Sequence, residues 1–117
     1  GAMMAEFREQ YMDQITCWEL AAERMKKLWP EYLPLIQVCL FQAALLVAGK
    51  LALVPDLSDE RVGIYLERCS RAAHESWEYL GGVGRRRLSA GYRAKGWVFL
   101  NAPKLYLKMY HVWKGLK

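Results

Sequence analysis

From Tyr32 through Gly49 the chain carries no charged side chain, and this run limits the possible folds more than any other feature. It reaches the length at which a membrane-spanning helix becomes a candidate. Gln37 and Gln42 lie inside it, Pro34 sits near its start and Lys50 follows its end. Polar side chains are costly in hydrocarbon. We therefore expect a helix over about 31–54 that is the central, mostly buried member of a bundle, in preference to a membrane span over 32–54. Such a helix is apolar nearly all round and needs neighbours on nearly every side. Other helices of the chain would supply most of them, and a dimer interface would supply the remainder.

The flanking segments read as the helices that cover it. Phe7, Tyr11, Ile15, Trp18, Ala22, Met25 and Trp29 step by four and three along one stripe, which predicts a helix over about 5–29 ended by Pro30. A third helix is predicted over about 59–80. Asp56 or Ser58 would cap it, Val62, Tyr65 or Leu66, Cys69, Ala72 or Ala73 and Leu80 would form its inner face, and Gly81-Gly82 would close it with a left-handed turn. Two shorter helices follow, over about 87–100 and 103–116, with Pro103 opening the second. No alternating pattern is long enough for a sheet. The expectation is one all-α domain over residues 5–117, a compact bundle of four to five helices. Residues 1–4 include Gly1-Ala2-Met3 ahead of Met4 and read as a tag remnant.

Cys17, Cys39 and Cys69 are odd in number and widely spaced, which argues against a disulfide framework. Each lies in an apolar helical pattern, where a free thiol acts as a small buried hydrophobe. No signal peptide precedes them, so an intracellular, reducing compartment is expected, with a membrane-peripheral location as the variant. No Cys and His stand at zinc-ligand spacing, and no glycine pattern spells a phosphate or dinucleotide loop. We expect no metal and no cofactor. Arg68-Cys69-Ser70-Arg71-Ala72-Ala73-His74 resembles, in one spacing only, the Arg and His pair of helical RNA-cleaving domains of the HEPN type. That resemblance would have Arg68 steady a phosphate and His74 transfer a proton. Positions six apart lie about 120° from each other on a straight helix, so the two side chains would converge only at a bend or across a dimer. The chain is therefore expected not to be an enzyme.

The charge distribution points to a class of partner. Residues 1–78 hold eight basic and twelve acidic side chains, a net −4. Residues 79–117 hold nine basic side chains and no acid, a net +9, which brings the whole chain to +5. A core needs no such segregation, and a one-sign field gathers anionic partners. The cations are interleaved with Tyr92, Trp97, Phe99, Tyr106, Tyr110 and Trp113. Lysine and arginine neutralise phosphates, and aromatic faces stack on unpaired bases. The expected site comprises Arg85, Arg86, Arg87, Arg93 and Lys95 on phosphates, Tyr92 and Trp97 on bases, and Lys104 and Lys108 extending the track. In the last helix Lys104, Lys108 and His111 share a basic strip. The expected function is a non-catalytic accessory subunit binding RNA or single-stranded DNA. The alternatives are a protein–protein adaptor or homodimer, and attachment to an anionic membrane surface by the last helix.

Overall fold

Helix boundaries in this chain follow its prolines. A computed structural model describes residues 7–113. Within it, α1 spans Met12–Leu28, α2 Leu33–Leu51, α3 Glu60–Arg87, α4 Ala90–Asn101 and α5 Pro103–Trp113. Trp29 and Ala102 both leave helical geometry, at φ −144 and −148, because each precedes a proline whose ring disfavours the α region. Pro103 then opens α5, where its missing N–H costs nothing. The described residues contain helices and turns and no strand, so the chain is an all-α bundle.

Four boundaries differ from the sequence expectation. The first helix begins at Met12, after a 3-10 turn at Glu9–Tyr11 that an extended Arg8 leads into. Phe7 is buried all the same, with its ring 5.3 Å from that of Tyr65 in α3. The second helix is trimmed at both ends, by a 3-10 turn at Pro30–Tyr32 and by the turn that leads to Pro55. At the start of α3, Asp59 is the cap, accepting from the Arg61 N–H at 2.9 Å, while Asp56 accepts from the Ser58 N–H instead. The fourth difference is the largest. Gly81 adopts φ 61, ψ −174, yet helix resumes behind it through Arg87. Arg85–Arg87 thus form a helical turn of α3 and are not the start of the next helix. Buried Gly84 sits against Leu80, and Leu88 is buried beyond it, so apolar contacts draw the chain back after the glycine.

Gly81 combines positive φ with extended ψ, a region populated almost only by glycine. A Cβ there would meet nothing within 4 Å, so the cost of a side chain is backbone strain alone. Gly81→Ala is expected to lower unfolding free energy by about 1–3 kcal/mol, read as a shifted urea midpoint with an unchanged slope. An unchanged midpoint would show that this turn relaxes freely.

α2 is the central helix. It packs most extensively on α3, next on α1, and at its C-terminal half on α4 and α5. Phe41, Ala44, Val47, Ala48 and Leu51 are fully buried along it. Ile15 and Ala22 of α1 and Val62, Leu66, Cys69, Ala72 and Leu80 of α3 cover it as their spacing predicts. Pro30–Leu51 is long and apolar enough to cross a membrane, and half of it is buried inside the bundle. The body measures 44 × 27 × 17 Å, and its thin dimension is less than two helix diameters of about 10–12 Å each. A central helix in such a slab is not enclosed on all sides, and Leu35 and Leu46 of α2 stay exposed.

Candidate nucleic-acid interface

Arg85, Arg86, Arg87, Arg93, Lys95, Lys104 and Lys108 are all exposed. Among the described residues, the two ion pairs are Arg61 with Asp59 and Arg68 with Glu19, and none of these seven cations takes part. Their charge is therefore not cancelled by contact. The local geometry nevertheless divides them into groups.

Arg85 is engaged within the fold. Its guanidinium lies 4.5 Å from the centre of the Trp77 ring, and it donates to the Trp77 carbonyl at 3.4 Å. Cation–π stacking of this kind ties the turn after Gly81 back onto α3. Arg86 and Arg87 extend from the same turn with no such partner among the described residues. α4 begins at Ser89, whose hydroxyl accepts from the Tyr92 N–H at 3.2 Å. Its inner side is set by Gly96, where a Cβ would come within 2.6 Å of the Phe41 ring, and by fully buried Phe99. Arg93 and Trp97 stand one turn apart on the opposite, outward side, with Trp97 68% exposed. A cation and an open indole face are thus adjacent on one surface.

Tyr92 and Lys95 point elsewhere. They line a groove of about 220 Å³ together with Leu46, Gly49, Lys50 and Leu53 from the α2 side and Tyr106 and Tyr110 from α5. Lys95 Nζ lies 5.8 Å from the Tyr92 ring centre and 5.9 Å from that of Tyr110. Lys50 Nζ lies 4.2 Å from the Tyr11 ring centre. Among the described residues, no carboxylate lines this groove. Tyr106 is buried at its floor, where desolvation first, and then a hydrogen bond with Tyr110, push its phenol above the ordinary range. Lys50 and Tyr110 were not among the residues expected to share a site, because neither lies near Tyr92 and Lys95 in sequence.

Lys104 and Lys108 occupy the other side of α5. They line a separate groove with Asp59, Glu60 and Leu66, so carboxylates of α3 stand nearby. His111 is not part of their strip. It is buried, and its Nδ1 donates to the Ala52 carbonyl at 2.8 Å, closing the C-terminal end of α2. The aromatics divide likewise: Phe99 and Tyr106 are core, Tyr92 and Tyr110 are half-buried, and Trp97 and Trp113 are exposed.

The Arg and His pair on α3 is not brought together. Arg68 forks onto the carboxylate of Glu19 on α1, one arm at 3.0 Å, while His74 is exposed. Of the cysteines, Cys69 is buried as expected, Cys39 half-buried and Cys17 exposed on α1. Cys17 departs from the expectation because α1 turns only one stripe inward and Cys17 lies opposite it. Burial pushes the Cys69 thiol up to about 12, which leaves it protonated at neutral pH. Among the described residues no group of three His, Cys, Asp or Glu side chains could hold a metal ion.

The fold and surface define an α-helical bundle whose C-terminal helices carry exposed cations, those of α5 beside Asp59 and Glu60. Comparison with known protein families, with curated proteins and with solved structures gave no match.

Proposed function

We propose that the protein is a non-catalytic nucleic-acid-binding subunit that holds single-stranded or irregular RNA against the outward face of α4 and the last turn of α3. Its support is one juxtaposition: Arg93 stands one turn from the open ring of Trp97 on α4, and Arg86 and Arg87, at the end of the preceding helix, are likewise exposed and outside the ion pairs among the described residues. Arginine forks match phosphate geometry, and an exposed indole offers a stacking platform for an unpaired base. Lys104 and Lys108 extend the positive field at longer range, weakened by Asp59 and Glu60. Tyr92 and Lys95 face the α2 groove and are secondary contacts on this reading.

The test is titration of a labelled single-stranded RNA with the full chain across a salt series. Affinity is expected to fall linearly in log–log form with added salt, and Trp97→Ala is expected to weaken binding about five- to a hundredfold, the range for one base–aromatic stack. Salt-independent binding, or no binding at low salt, would overturn the reading.

A further inference from the structure

The bundle covers one face of its most apolar helix only in part, with Leu35 and Leu46 exposed and Cys39, Gln42 and Gly49 half-buried. Leu35, Cys39, Gln42, Leu46, Gly49 and Leu53 escape full burial, and they recur at steps of four, three, four, three and four. The mean step of 3.6 keeps them on one stripe along the helix, as a seam between two helices requires. Leu46, at the middle of this face, is 53% exposed. Single exposed apolar residues need no explanation, but a partly open stripe running most of the length of a helix does. At one end the stripe runs into the exposed corner of Leu28, Trp29 and Tyr32. At the other it enters the groove flanked by Lys50 and Lys95.

We infer that this face is the interface with a second copy of the chain, the two α2 helices lying antiparallel about a two-fold axis at Gln42. The stripe is complementary to itself in that arrangement. Leu35 falls opposite Gly49, and Cys39 and Tyr32 come within one residue of facing Leu46 and Leu53, so a large side chain meets a small one or an edge of the groove. Gln42 meets its own copy, and a primary amide is both donor and acceptor, so the central polar pair satisfies itself and fixes the register. Charge points the same way. The antiparallel register carries the corner, with its carboxylate Glu31, toward the partner groove and its two lysines. A parallel pair would set Lys50 against Lys50 and Glu31 against Glu31. A bilayer is the poorer occupant, because Glu31 would enter it between Trp29 and Tyr32. A two-fold pair is also the commonest closed assembly. The interface leaves Arg86, Arg87, Arg93 and Trp97 outside it and meets the nucleic-acid reading only at the secondary contacts Tyr92 and Lys95, so the two are tested separately.

Sedimentation of the full chain over a concentration series tests this inference. A reversible dimer is expected. Leu46→Glu is expected to raise its dissociation constant about a hundredfold or more, since each dimer loses two apolar knobs and gains two desolvated charges. Leu46→Ala, which cannot misfold a half-exposed site, should give a smaller shift in the same direction. Register is read in a Cys17→Ser background under mild copper oxidation. The Leu46→Cys variant should form a covalent dimer through the partner's Cys39, mapped by peptide mass, and the parent should not link Cys39 to Cys39. A monomer at every concentration would overturn the inference, as would a Cys39–Cys39 link in the parent. So would a monomer whose binding to anionic vesicles is abolished by Leu46→Glu, which would make a bilayer the occupant.

Discussion

Phe41→Ala is expected to remove about 3–5 kcal/mol of unfolding free energy, the range for deleting a fully buried aromatic ring. Phe41 has no exposed surface. Its ring centre lies 5.3 Å from that of Trp77 on α3, and α4 crosses it at Gly96 so closely that a Cβ there would stand 2.6 Å from its Cζ. One ring therefore joins three helices. Its loss leaves a cavity that α4 cannot fill without leaving Phe99 and Leu88 partly open. The reciprocal change makes the argument sharper. Gly96→Ala overpacks the same contact and is expected to cost about 1–3 kcal/mol in the parent. In the Phe41→Ala background the methyl group enters the cavity, so its cost should nearly vanish or change sign. Guanidinium denaturation of the four proteins, followed by circular dichroism, gives the coupling. An additive cycle would mean that Gly96 and Phe41 do not touch in solution.

Replacing Arg86, Arg87 and Arg93 together by alanine is expected to flatten the salt dependence of RNA binding by about two log–log units. The figure is three lost phosphate contacts at about 0.7 counterion each on a single strand. Their side chains are exposed and join no ion pair among the described residues, so the denaturation midpoint should stay within about 0.5 kcal/mol of the parent. Arg85→Ala should behave in the opposite sense. It releases the Trp77 stack and so should reduce stability, with a smaller effect on the salt slope. A triple variant with the parental slope would remove Arg86, Arg87 and Arg93 from any phosphate track.

The helical class and the order of the elements are legible in the sequence because local signals agree with the tertiary outcome. The four-and-three stripe of the first segment did turn inward at Ile15 and Ala22, and the prolines at 30 and 103 mark helix boundaries. Gly81 was legible as a residue of positive φ. The resumed helix behind it was not, since nothing local distinguishes a terminating glycine from one that kinks a longer helix. Whether it kinks or ends depends on Gly84 reaching Leu80 and on Leu88 finding the core.

The candidate site shows the same division more strongly. Sequence by itself determined that the final third is cationic and free of acid, because net charge and its segregation along the chain do not depend on folding. Only the tertiary structure decided which cations share a surface. Helical period sends Arg93 and Lys95 to opposite sides of α4, and Lys104 and Tyr110 to different sides of α5. A linear run of charge is thereby split between an outward face, an α2 groove and a margin beside Asp59 and Glu60. The partly open stripe on α2 has a similar origin: apolarity all round is written in its residues, but which side lacks a full cover follows from five helices making a slab too thin to enclose it.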